Sequence, residues 1–192
     1  MAERASALSA NYPRGRLGPA DMDSGASLSE VRNLSLLQIA AWPDTLAEVG
    51  AGLAAQLGIS APPGPCEAAF TERGSLLRVE PLKWWLIDGD IAAVATAFAD
   101  AGRAVTLDQS QSRTRVRIGG PRAAELLNRH LPLDLREASF PVGRLANTGF
   151  HHAGVTLWRH EQGYDLLLPR GFALSLWELL MAAGEQFGAE VV

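Results

Sequence analysis

Hydrophobic and polar positions alternate most cleanly between Arg113 and Ile118. Arg113, Arg115 and Arg117 point one way, and Thr114, Val116 and Ile118 the other. A period of two marks a strand with one buried face. Gly119-Gly120 ends that strand, and Pro121 opens a helix at a position where its missing N–H costs nothing. In this helix Ala123, Ala124, Leu126 and Leu127 form one apolar stripe. Just upstream, Asp108-Gln-Ser110 sets a carboxylate and a hydroxyl before the strand. The other elements are ordered about this stretch, residues 105–128.

Before it, residues 34–41 read as a strand punctuated by Trp42-Pro43-Asp44. Leu46, Val49, Leu53 and Leu57 then space a helix that Gly58 closes. Residues 66–70 and 75–79 form a hairpin across Glu72-Arg73-Gly74. Residues 84–87 make a further strand, and Asp88-Gly-Asp90 caps a helix over residues 91–101. After it the order repeats. A helix over residues 122–129 is followed by a hairpin of residues 144–150 and 155–159. Tyr164-Asp-Leu-Leu-Leu-Pro-Arg-Gly171 parallels Trp84-Trp-Leu-Ile-Asp-Gly89, and a closing helix at 172–187 buries Phe172, Leu176, Leu179, Leu180 and Ala183. The offset of about 80 residues is too long for a solenoid repeat. Strand, helix, two strands and helix, taken twice, predicts an α+β protein of duplicated ferredoxin-like, split βαβ halves. The halves are residues 31–102 and 103–192. Residues 1–30, rich in Ala, Ser, Gly and Pro, bury too little apolar surface to offset their ordering entropy, which predicts a flexible N-terminal arm.

Composition narrows the function classes. A net charge of −4 spread over both signs argues against an electrostatic nucleic-acid binder. Cys66 is alone, so the chain can form neither an internal disulfide nor a cysteine cluster for a metal. No apolar run approaches the roughly 20 residues that span a membrane, and the N-terminus lacks the apolar core of a signal peptide. A cytoplasmic protein is the expectation. There is no G-x-G-x-x-G or G-x-x-x-x-G-K-[ST] phosphate cradle, no G-x-S-x-G elbow and no H-E-x-x-H.

Several separated motifs carry a family resemblance. Asp108-x-Ser110-x-x-Arg113, the alternating strand, Gly-Gly-Pro-Arg-Ala and Leu131-Pro-Leu-Asp-Leu135 resemble the gamma subunits of heterotetrameric sarcosine oxidases. So do Pro81-Leu-Lys-Trp-Trp-Leu-Ile-Asp-Gly89, Tyr164–Trp177 and Glu185-Gln-Phe-Gly188; the likeness covers about residues 30–188. It implies a fold related to the folate-binding region of aminomethyltransferases, the glycine-cleavage T-protein group. It also implies an accessory subunit beside alpha, beta and delta subunits. In such complexes FAD, FMN, NAD, tetrahydrofolate and zinc are held by the other subunits, so no catalytic, cofactor or metal residue is expected in this chain. The paired acidic segment that aminomethyltransferases place near folate is not found. Related N-methyl amino acid dehydrogenases contain corresponding subunits, and a stand-alone folate-dependent transferase or a self-associating binding protein are the competing expectations.

Particular residues carry two readings each. Asp108 and Ser110 would make a general base with its partner if buried, or a turn cap on backbone N–H groups. Arg113, Arg115 and Arg117 would hold an anion such as a polyglutamyl tail, or form a solvated strand face and salt bridges to a partner. Gly119-Gly120 would admit a phosphate at a helix N-terminus or simply end the strand. His151-His152, with His130 and His160 elsewhere, alternate in direction and so cannot grip one metal together; they suit a turn that meets water or a partner. Trp84 and Trp85 also alternate, which predicts one in the core and one exposed as an interface anchor, as for Trp158, while Trp177 sits at a core position of its helix. The partner-contact candidates are therefore Trp84, Arg113, Arg115, Arg117, His151 and His152.

Overall fold

Two sheets, each with its own helices, make up the computed structural model, which describes residues 5–19, 21, 23–99 and 102–192. In chain order the elements are β1 (Gly15–Arg16), β2 (Ser27–Val31), β3 (Leu36–Ala41), α1 (Leu46–Leu57), β4 (Ala68–Thr71), β5 (Gly74–Glu80), β6 (Lys83–Ile87), α2 (Ile91–Ala99) and β7 (Ala104–Asp108). They continue as β8 (Arg113–Gly119), α3 (Ala123–Leu127), β9 (Leu145–Phe150), β10 (Ala153–His160), β11 (Gly163–Pro169), α4 (Ala173–Gly184) and β12 (Glu190–Val191). Short 3₁₀ turns flank α4 at Arg170–Phe172 and Glu185–Phe187.

The first unit comprises Leu34–Gln111 with Gly143–Leu145. Its antiparallel sheet runs β4-β5-β6-β3-β7. Leaving aside the added edge β4, fourth, first, third and second strands lie side by side, the order of the split βαβ unit. Leu37, Ile39, Leu76, Trp84 and Leu86 on one face of this sheet pack with Val49, Leu53 and Leu57 of α1 and Val94 and Phe98 of α2. α1 stops at Gly58, whose φ of 70° turns its N–H back to the Ala54 and Ala55 carbonyls. Asp90 caps α2 by accepting the Ala93 N–H at 2.9 Å. Residues 100 and 101, the last two of the helix expected here, lie outside the described residues.

The second unit takes the N-terminal segment up to Asn33, Ser112–Val142 and Ala146–Val192. Its sheet runs β1-β12-β2-β8-β11-β10-β9. The same order recurs around β8, β11 and β10, with one difference: β2 occupies the place beside β8, antiparallel to it, and β12 lies outside β2, parallel to it. The N-terminal segment expected as a flexible arm is therefore part of the core. Leu8 is fully buried. Tyr12 stacks on Trp177 with ring centroids 5.2 Å apart, its hydroxyl donates to the Val192 carbonyl at 2.7 Å, and Trp177 Nε1 donates to the Asn11 carbonyl at 2.9 Å. Its few apolar side chains suffice because the edge of β8 supplies a ladder of backbone partners. Residues 1–4, 20 and 22 of that segment lie outside the described residues.

Three further expectations are corrected. The boundary between halves falls at Gln111 rather than residue 102, because β7 pairs with β3 and so completes the sheet of the first unit. α3 starts at Ala123, with Pro121 in the preceding turn. Phe172 is 47% exposed because it precedes the first turn of α4; Leu176, Leu180 and Trp177 are buried as expected, joined by Ala173 and Met181, while Leu179 and Ala183 are half-buried. Leu8→Ala is expected to destabilise the protein by about 2–4 kcal/mol in urea unfolding; an unchanged midpoint would mean that the segment does not pack.

Candidate functional site

An aspartate sits where β11 is otherwise apolar, and the arginine face of β8 meets it. Register places Asp165 opposite Arg117 on β8 and opposite Trp158 on β10. Asp165 has no solvent exposure. Arg117 reaches both carboxylate oxygens, Nε to Oδ1 at 2.9 Å and Nη2 to Oδ2 at 3.0 Å. Arg115, also buried, donates from Nε to Oδ2 at 2.9 Å and again from Nη2, and its guanidinium lies 5.2 Å from the Trp158 ring centre. The Gln162 N–H donates to His160 Nδ1 at 3.2 Å, and His160 Nε2 lies 3.4 Å from Asp165 Oδ1.

Burial pushes the Asp165 carboxyl up, but the His160 ring, the Arg117 hydrogen bonds and the two guanidinium charges outweigh it, so the group is held well below the usual carboxylate range. A carboxylate so stabilised is a poor general base. Arg115 and Arg117 correspondingly have their anion within the chain. They form neither the solvated face nor the external anion site that their alternation suggested, because a buried carboxylate in the next strand requires them. Arg113 is half-buried, and desolvation lowers its guanidinium from its ordinary value.

The remaining candidates do not converge on one place. Asp108 Oδ1 accepts the Ser110 N–H at 2.8 Å, and Ser110 Oγ accepts the Leu36 N–H at 2.9 Å, so this pair holds a turn. Gly120 has φ 95°, and a Cβ there would lie 2.8 Å from the Gly25 carbonyl oxygen. The glycine pair thus makes room for the N-terminal segment rather than for a phosphate. Trp84, expected as a partner contact, is buried, and so are Trp85 and Trp158; both faces of β6 and of β10 are covered. His151 and His152 do sit exposed in the β9–β10 turn, His151 at φ 52°. The His130 ring stacks on Phe150 at 4.7 Å, with His151 5.8 Å away. Burial lowers the His130 pKa foremost, and His151 adds to that, against the hydrogen bond to the Leu179 carbonyl. Among the described residues no group of three or more His, Cys, Asp or Glu is placed to hold a metal.

A cleft of about 320 Å³ in the second unit is lined by Pro121, Leu135, Glu137, Arg159, His160 and Tyr164. Its walls are committed to the chain itself: Arg159 donates to the Phe140 carbonyl at 2.9 Å and Tyr164 to that of Leu135 at 3.3 Å. Burial, foremost, keeps the Tyr164 phenol protonated above its ordinary pKa. Asp165 and His160 escaped the reading of the sequence as members of a cluster. The signal was present: one carboxylate inside Tyr-Asp-Leu-Leu-Leu needs buried cations, and three alternating arginines offered them.

Asp165→Asn strands the buried Arg115 charge and is expected to cost about 3–5 kcal/mol. Because folding depresses the Asp165 pKa, its contribution is complete above the unfolded value of about 3.9 and is lost as the pH falls below it. In urea titrations the gap between wild type and variant should stay constant near neutrality and narrow below about pH 4. A gap independent of pH would exclude the ion pair as its source.

Comparison with known proteins places these features in a lineage. The GCVT N-terminal domain family matches residues 81–192, more than half of the chain, including β7, β8 and β11. Sarcosine oxidase subunit gamma of Corynebacterium sp. (strain U-96) is 29% identical over 175 residues, 88% of this chain and 84% of that one. An aminomethyltransferase of Deinococcus deserti is 34% identical over 103 residues, which are 51% of this chain and 28% of that protein. Among solved structures, the heterotetrameric sarcosine oxidase of Corynebacterium sp. U-96 in complex with pyrrole 2-carboxylate contains a similar chain: TM-score 0.78, 26% identity, 98% of both chains covered. The glycine cleavage system aminomethyltransferase T of Bartonella henselae shares the fold, with TM-score 0.64 and 16% identity over 89% of this chain and 48% of that one. This chain belongs to the GCVT N-terminal domain family and is a homologue of sarcosine oxidase subunit gamma.

Proposed function

We propose that the chain is the gamma-type accessory subunit of a heterotetrameric sarcosine oxidase-like flavoenzyme. The observation that carries this reading is the end-to-end match: 98% of this chain superposes on 98% of a chain of the heterotetrameric enzyme. A transferase, by contrast, is matched over 28% of its length. The complex would oxidatively demethylate sarcosine to glycine and hydrogen peroxide in the cytoplasm, passing the one-carbon unit to tetrahydrofolate. Alpha, beta and delta subunits would hold FAD, FMN, NAD, folate and zinc, while this chain docks against the folate-binding subunit and helps wall the route of the one-carbon intermediate. The use of its own polar groups supports a structural role: Asp165 is clamped by Arg115 and Arg117, and Asp108 caps a turn.

A second reading, a folate-dependent transferase in its own right, draws on the GCVT match over residues 81–192. It needs a carboxylate facing the folate, and its candidate Asp108 accepts the Ser110 N–H. The purified chain is expected to be colourless, to release no peroxide from sarcosine and to give no saturable heat with tetrahydrofolate. Bound flavin would overturn the division of labour, and tight folate binding would favour the transferase.

A further inference from the structure

Two imidazoles meet over one opening in the second unit. His130 follows α3, and His151 sits in the β9–β10 turn. Their ring centres are 5.8 Å apart, and the buried Phe150 ring supports both, 4.7 Å from His130 and 5.7 Å from His151. Together with Asn128, Pro132 and Gly149 they line a cavity of about 460 Å³. The adjacent His152 takes no part: its ring meets Phe172 edge-on, 5.8 Å away.

The chain itself prepares His130 as a ligand. A carbonyl oxygen can only accept, so His130 Nε2, 3.2 Å from the Leu179 carbonyl, carries a proton and donates it. In the neutral ring Nδ1 then keeps its lone pair. Anchoring one ring nitrogen on a backbone carbonyl is the arrangement that orients histidines for metal through the other. Burial, foremost, and His151 beside it hold the His130 pKa below its ordinary value, against that hydrogen bond. Near neutrality the ring is therefore uncharged, the form that ligates. Arg129, the neighbouring cation, is directed elsewhere: its Nη2 donates to Gln186 Oε1 at 2.8 Å, and its guanidinium lies 5.8 Å from the Phe187 ring centre.

His151 has a backbone φ of 52°, in the left-handed region that glycine adopts freely and other residues adopt at a cost. Glycine would serve the turn alone; histidine there sets an exposed imidazole at the cavity. We propose that His130 Nδ1 and an imidazole nitrogen of His151 together ligate one divalent first-row transition-metal ion, with water in its remaining positions. At a metal–nitrogen distance of about 2.1 Å, two rings on one ion have centres roughly 4.5–5.2 Å apart for angles between square and tetrahedral. A small turn of the exposed His151 side chain closes 5.8 Å to that range. Among the described residues no group of three or more His, Cys, Asp or Glu forms here, so the shell stays open to water. The site goes beyond the accessory-subunit reading, which gives this chain no metal, and its failure would leave that reading untouched.

Calorimetric titration of Ni²⁺, and separately of Zn²⁺, into the full chain near neutral pH tests it. The wild type should bind saturably at one site. His151→Gly, which relieves the turn and so keeps the fold, should weaken binding at least about tenfold, and His130→Asn should do the same. His152→Gln should bind as the wild type does. In ¹⁵N spectra of the imidazoles, Zn²⁺ should move His130 Nδ1 and one nitrogen of His151 and leave those of His160 in place. No saturable binding, affinity unchanged in His151→Gly, or binding lost in His152→Gln would each overturn the proposal.

Discussion

A carboxylate withdrawn entirely from water is stable only where cations reach it, and that requirement ties β8 to β11. Desolvation of such a group costs several kcal/mol, which two guanidinium groups with directed hydrogen bonds can offset. Arg115 and Arg117 reach Asp165 because they lie two residues apart on one face of β8, with Arg117 directly opposite it. A slip of one residue would turn Asp165 toward the apolar face and strand a buried arginine. The pair therefore specifies register at the centre of a seven-stranded sheet, and with it the ladder on which β2 is laid. It also removes the arginines as receptors for an outside anion.

The two units share one strand order and differ in how they finish it. In the first, β7 takes the place beside β3 and the sheet stops. In the second, the corresponding place beside β8 goes to β2, drawn from the start of the chain, and β12 and β1 extend the sheet further. Closing the second unit thus needs both termini. The Tyr12–Trp177 stack and the bond from Tyr12 to the Val192 carbonyl show how N-terminal and C-terminal segments hold one another there.

The duplicated α+β plan was legible because period and punctuation agreed: alternation over β8, i/i+3/i+4 spacing over α1, a left-handed Gly58 and an Asp90 cap each name a local structure. What escaped was non-local. β2 and β12 carry weak patterns of their own: β2 exists because β8 presents a backbone ladder, and β12 because β2 in turn presents one. The Arg113–Arg117 face looked solvated because alternation reports a difference between two faces, not the exposure of either. Trp84 and Trp85 misled for the same reason, both faces of β6 being covered. The turn at Asp108-Ser110 and the exposed His151-His152 pair read correctly, since turn chemistry depends on adjacent residues.

Seen together, these features describe a chain whose polar residues mainly hold its own strands in place, within a family whose relatives include a sarcosine oxidase subunit gamma and an aminomethyltransferase. The accessory-subunit account is tested most directly by capturing the tagged chain from its native cells under non-denaturing conditions and recording the absorbance spectrum of the eluate. The account predicts larger chains co-eluting with flavin absorbance. A colourless eluate holding this chain alone would contradict it.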